Sequence, residues 1–187
     1  KHVKIAVEAA MAGEEVGHLY LARMVQRQVE ANADFLDLNI DEIALKLDRQ
    51  KEAMQWLVKA VMEMTDTALS IDSSNAEIIE VGLEACAKSG RKNMLNSASL
   101  ERRDALDLAR QYQCAVVVTA AGQSGMPQNA DERVDHATQM VDAALEKGIP
   151  AADIYVDPLV FPISVDMEFG NHCLDAIRSL RQIYGSE

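Results

Sequence analysis

Five times along this chain a short β-forming run ends at or beside an acid, an amide or a hydroxyl, and a helical segment separates each run from the next. The runs are Phe35–Ile40, Ala68–Asp72, Asn93–Asn96, Ala115–Thr119 and Asp153–Asp157. Strands that alternate with helices at this spacing specify βα units, because a parallel return needs a crossover of a dozen or more residues. The expected class is therefore α/β with about five parallel strands.

Apolar residues at helical spacing mark the helices between the runs. Ala53, Leu57, Ala60, Val61 and Met64 make one stripe, and Val134, Ala137, Val141, Ala144 and Leu145 another. Ala105, Leu108, Ala109 and Tyr112 make a weaker one, and Cys173, Ile177, Leu180 and Tyr184 a late one. Ile78, Ile79 and Leu83 predict a helix over 74–88, with Gly90 as its stop. Residues 14–31 read as helical before the first run. That makes six helices. Asn129 followed by Glu132 reads as a capping box.

Strand side chains alternate between faces. Asp37 and Asn39 therefore share one face, while Leu36, Leu38 and Ile40 turn toward the helices. Ser70 and Asp72 share a face, as do Met94 and Asn96, and Tyr155 and Asp157. The carboxyl ends of parallel strands point the same way, and active sites of α/β proteins are built there. Asp37, Asn39, Asp72, Asn96 and Asp157 are thus expected to face a common concavity. Taken singly, Asp72 before Ser73-Ser74-Asn75 and Asn96 before Ser97-Ala98-Ser99 also suit helix N-caps. Five such ends on one face favour a site.

The ligand class follows from what the chain carries and lacks. It has no GxGxxG or GxxxxGK[ST] phosphate loop, no HExxH and no GxSxG. Gly122-Gln123-Ser124-Gly125 reads as a flexible βα loop closing in Pro127. Asp and Asn without phosphate clamps suit a neutral heterocycle with several N–H donors. A carboxylate accepts two parallel N–H bonds, and an amide both donates and accepts. Cys86, Cys114 and Cys173 stand far apart, as do His2, His18, His136 and His172. They read as buried thiols in a reducing cytoplasm and as packing or surface imidazoles, with no metal site expected. The net charge of −12 argues against nucleic acid or an anionic membrane surface as partner.

Asp37-Leu38-Asn39-Ile40-Asp41-Glu42, Ser70-Ile71-Asp72-Ser73-Ser74, Leu95-Asn96-Ser97-Ala98-Ser99 and Val156-Asp157-Pro158-Leu159-Val160-Phe161-Pro162 occur in that order. Together they resemble the pterin-binding family of TIM (β/α)8-type barrels over about residues 14–184. That family includes methyltetrahydrofolate:corrinoid protein methyltransferases, the folate domain of cobalamin-dependent methionine synthase, and dihydropteroate synthase. The methyltransferase branch is the most similar. Asp37 to Glu42 resembles a motif of the methionine synthase folate domains, and Asp157-Pro-Leu-x-x-Pro one of the corrinoid-protein methyltransferases. Dihydropteroate synthases carry a Gly-rich turn after the matching Asp-Pro, which this sequence lacks.

The resemblance implies that Asp72, Asn96 and Asp157 hydrogen-bond the pterin ring and that Asn39 and Asp37 line the same pocket. Asn96 and Asp157 are also implied to assist the reaction. That reaction moves a methyl group between N5 of methyltetrahydrofolate and the cobalt of a corrinoid (cobalamin) on a partner protein. The corrinoid supplies the nucleophile, which agrees with the lack of one in this sequence. A homodimer is likewise implied. Dihydropteroate synthase activity, and a non-catalytic module that binds pterin or docks a corrinoid protein, are the alternative readings.

Length then becomes informative. A complete barrel typically has ~250 residues, and this chain has 187. Residues 1–187 are therefore expected to be a single, incomplete barrel domain lacking the first strand and the last two βα units. The lack of an initiator Met fits a fragment of a longer enzyme, with an open sheet edge at each end.

Overall fold

Helices separate the strands throughout the computed structural model, which describes residues 2–185. In chain order the elements are α1 (His2–Met11), α2 (Glu15–Glu30), β1 (Phe35–Asn39), α3 (Leu47–Met64), β2 (Ala68–Asp72), α4 (Ala76–Cys86), β3 (Met94–Ala98), α5 (Ala105–Gln111), β4 (Ala115–Thr119), α6 (Ala130–Glu146), β5 (Ile154–Asp157) and α7 (Glu168–Tyr184). They form two compact units that divide between Asn96 and Ser97.

In the first unit β1 pairs parallel with β2, and β2 with β3. Leu36, Leu38 and Ile40 are buried, as the alternation predicts. So are Leu69 and Ile71 of β2. The buried stripe of α3 (Ala53, Met54, Leu57, Val58, Val61) packs toward β1 and α4, and α4 packs on β2. Gly82 permits that last contact. A Cβ there would lie 2.5 Å from Cγ2 of Ile71 and 3.1 Å from Cγ of Met54. Asn93, expected to begin a strand, lies just before β3 and is buried. Its side-chain carbonyl accepts from Leu69 N at 2.9 Å.

Helix α1 adds a seventh helix to the six read from periodicity. Its buried residues are Ala6, Val7 and Ala10, so its apolar stripe is short and made mostly of small side chains. The close packing explains that composition. A Cβ on Gly17 of α2 would lie 2.4 Å from the backbone N of Ala10 and 2.6 Å from the carbonyl oxygen of Ala6. Only small residues allow such an approach. Gly17→Ala therefore forces the two helices apart and is expected to destabilise the chain by about 1–3 kcal/mol. The measurement is the urea unfolding midpoint, and an unchanged midpoint would contradict this packing.

In the second unit β4 pairs parallel with β5, in the register Val116↔Ile154 through Thr119↔Asp157. Helix α6 packs on both strands and on α7. Its start is capped as the sequence predicts. Oδ1 of Asn129 accepts from Glu132 N at 2.9 Å, and the Glu132 carboxylate accepts from Gln128 N at 2.8 Å. Ala120, Ala137 and Leu180 form a small core, with Val134, Val156 and Leu159 packed against it. On α7 the expected stripe is only partly covered. Ala176 and Leu180 are buried, but Tyr184 is exposed. Cys86 and Cys114 are buried and Cys173 is half-buried. Burial pushes the Cys86 thiol up to about 11. Among the described residues, no helix is long and apolar enough to cross a membrane.

Candidate functional site

Parallel pairing in register sets Asn39 beside Asp72, and Asp72 beside Asn96. Three adjacent strands of the first unit thus carry an amide, a carboxylate and an amide in one row. The side chains join across it. Nδ2 of Asn39 donates to Oδ2 of Asp72 at 2.9 Å. One row earlier in β1, Asp37 is exposed, and its Oδ1 accepts from Nδ2 of Asn96 at 3.2 Å. Four of the five residues singled out from sequence are therefore linked within this unit.

The N-cap alternative for two of them does not hold. The cap of α4 is Asn75, whose Oδ1 accepts from Glu77 N at 2.9 Å. Asp72 has no such duty. Asn96 lies inside β3, two residues before its end, and its side chain reaches Asp37 instead.

The electrostatics set Asp72 apart. Partial burial raises its carboxyl above the usual value of 3.8, and the neighbouring charges of Asp37 and Asp41 raise it further. The Asn39 amide opposes them by favouring the ionised form. A partly buried carboxylate beside other acids binds well to a ligand that brings N–H donors.

Asp41 plays a different part from its neighbours. Its carboxylate accepts from Ser73 Oγ at 2.5 Å, from Ser74 N at 2.8 Å and from Ser74 Oγ at 2.7 Å. Its carbonyl oxygen accepts from Nε2 of Gln50 at 2.8 Å, and its N–H donates to Oδ1 of Asn39 at 2.9 Å. Asp41 therefore ties the loop after β1 to the loop after β2, and so fixes Asn39 and Asp72. Ser73 is only 1% exposed, so its bond is sheltered from water, whereas the two bonds from Ser74 lie at the surface. The sequence signal for it is the pair Ser73-Ser74 directly after Asp72, two hydroxyls within the motif Ser70 to Ser74.

Asp157, the fifth singled-out residue, ends β5 in the second unit, with Thr119 as its register partner. It is exposed, and its Oδ1 accepts from Leu159 N at 2.9 Å. Its backbone carbonyl accepts from Ala120 N at 2.9 Å. The loop after β4 is tightly folded rather than open. Gly122 N donates to the Gly125 carbonyl at 2.9 Å, and a Cβ on Gly122 would lie 2.7 Å from Cε1 of His136. His136 holds that loop with Nδ1 at 3.0 Å from the Ala120 carbonyl oxygen. Among the described residues, no three His, Cys, Asp or Glu side chains gather in a way that holds a metal ion.

Comparisons with known proteins identify the family and the fold. Residues 20–186 match the family described as pterin binding enzyme. Among solved structures the chain is similar to a 7,8-dihydropteroate synthase from Vibrio fischeri ES114, at 18% identity and a TM-score of 0.68. The match covers 91% of this chain and 63% of that one, so the chain spans less than two thirds of this relative's length. The likeness is one of fold. Five parallel strands and seven α-helices among the described residues correspond to part of that relative's TIM barrel.

Proposed function

The chain belongs to the pterin-binding enzymes, and from that premise we propose that it moves a methyl group between N5 of methyltetrahydrofolate and the cobalt of a corrinoid carried by a partner protein. The observation that carries the pterin half of this reading is the row Asn39, Asp72, Asn96. An amino-pyrimidinone edge presents two neighbouring N–H donors and a carbonyl acceptor. Asp72 accepts the two donors, and the amides beside it donate and accept at the remaining ring positions. Asp37 is assigned to orienting Asn96, whose Nδ2 it holds, and on the resemblance of the segment Val156 to Pro162 alone Asp157 is assigned a pterin contact.

The chemistry asked of this chain is modest. N5 of a methylated pterin is a poor leaving group, and a hydrogen bond that strengthens as charge develops there lowers the barrier. Asn96, whose side-chain amide carries the donors, is the residue proposed to supply it. The corrinoid brings the metal that gives or takes the methyl group. The protein's share is binding, orientation and polarisation.

A dihydropteroate synthase is the second reading, favoured by the fold likeness to one such enzyme. Against it stands the segment Asp157-Pro158-Leu159-Val160-Phe161-Pro162, which holds no glycine where those enzymes carry a Gly-rich turn.

The two readings predict different products. With methyltetrahydrofolate and a reduced corrinoid, the expected outcome is appearance of the methyl-corrinoid absorption spectrum together with tetrahydrofolate. Condensation of a pterin pyrophosphate with p-aminobenzoate would overturn the methyl-transfer reading. So would binding of methyltetrahydrofolate with no methyl-corrinoid formed.

A further inference from the structure

Arg133 is the most deeply buried cation in the second unit, at 0% exposure, and no carboxylate pairs with it among the described residues. A buried guanidinium without a counter-ion is costly, so its hydrogen bonds need a purpose. It does not cap α6, because Asn129 does that. Instead it joins two loops. Nη1 donates to the carbonyl oxygens of Asn129 at 2.9 Å and Pro127 at 3.4 Å, before α6. Nε donates to the carbonyl oxygen of Leu159 at 3.0 Å, after β5. The guanidinium carbon stacks 4.8 Å from the ring centre of Phe161 in that second loop.

Leu159 is where this grip matters. Its φ is +62°, a conformation that L side chains rarely adopt and that persists only when the surroundings hold it. Arg133 holds its carbonyl, and its N–H holds Oδ1 of Asp157 at 2.9 Å. One oxygen of the Asp157 carboxylate is thereby committed to the turn. The other, Oδ2, receives no donor among the described residues and remains for a ligand.

We propose that Arg133 is a positioning residue for pterin binding: by holding Leu159 in its left-handed turn, it aims the carboxylate of Asp157. This deepens the function proposed above and rests on its assignment of Asp157 to the pterin ring. A cation on a helix, one turn past the cap, thus sets the direction of an acid on a strand that it does not touch.

The test combines two readouts on the chain itself. Hydrogen exchange at the Leu159 amide reports the turn without any ligand. Calorimetric titration with methyltetrahydrofolate reports the site. Arg133→Met is expected to speed exchange at Leu159 while leaving the β4 amides protected, and to weaken binding by about tenfold or more. Asp157→Ala is expected to weaken it by a similar factor, and the double variant by no more than Asp157→Ala alone. Arg133→Lys, which keeps the charge but not the fork, tests the same points if Arg133→Met fails to fold. Unchanged exchange at Leu159 in a folded Arg133 variant would overturn the proposal, and so would losses that multiply in the double variant. If the unsubstituted chain binds no pterin, the function proposed above fails. In that case this inference falls with it as a statement about binding, and the exchange result alone decides whether Arg133 holds the turn.

Discussion

Asp72→Ala is expected to weaken methyltetrahydrofolate binding by a hundredfold or more, the largest loss of any single change in the row. Each hydrogen bond to an ionised carboxylate contributes about 1.5–3 kcal/mol, and Asp72 is assigned two. The substitution also strips Asn39 of the acceptor that holds its Nδ2. Asp72→Asn separates charge from shape. It keeps the volume but places an NH2 against a ligand that brings donors of its own, so binding is expected to fall nearly as far. Calorimetric titration measures both. Unchanged affinity in either variant would remove Asp72 from the site.

The same carboxylate sets a pH dependence. Burial first, then the charges of Asp37 and Asp41, raise its folded value above 3.8. The folded chain therefore takes up this proton at a higher pH than the unfolded chain does. The stability that this protonation contributes is fully present below 3.8 and is lost as pH rises through the raised value. Ligand affinity runs in the opposite direction, because only the ionised form accepts two N–H bonds. Affinity, measured by calorimetric titration, is expected to fall as pH drops through the raised value, and this dependence is expected to vanish in Asp72→Asn.

Asp41→Ala is expected to have the largest effect on stability, a loss of about 2–4 kcal/mol. The carboxylate accepts three hydrogen bonds from Ser73 and Ser74, and the Ser73 hydroxyl is buried. Removing the acceptor breaks all three bonds at once and releases the loop after β1 from the loop after β2. Asp41→Asn retains one acceptor oxygen and is expected to lose about half as much. Asp37→Ala, on an exposed side chain, serves as the contrast and is expected to change stability little. Urea unfolding of the three variants checks the order. Equal midpoints for Asp41→Ala and the unsubstituted chain would show that the tie between the loops after β1 and β2 does not hold them.

The legible parts of this chain were those where period and face coincide. Leu36, Leu38 and Ile40 alternate with Asp37 and Asn39, and that pattern alone separates the buried face of β1 from its polar one. The capping pair Asn129 and Glu132 was equally plain, because its chemistry is local. Helix α1 was not, since helices that approach backbone to backbone do so on alanine and glycine, which leave a faint apolar signal. Asp41 was visible as a residue but not as a tie. Its partners Ser73 and Ser74 lie more than thirty positions away in sequence, and only the register of β1 on β2 brings them together. Arg133 gave no signal at all, because a cation in an amphipathic helix ordinarily faces water. Its burial depends on Leu159 and Phe161, which arrive from a later loop.

The central claim is that Asn39, Asp72 and Asn96 together receive a pterin ring. Side-chain amide resonances of Asn39 and Asn96 in an isotope-labelled chain, followed during titration with methyltetrahydrofolate, test it most directly. Both amides are predicted to shift with one shared dissociation constant, and both shifts are predicted to be lost in Asp72→Ala. Amides that stay in place while the ligand demonstrably binds would contradict the claim and put the pterin elsewhere.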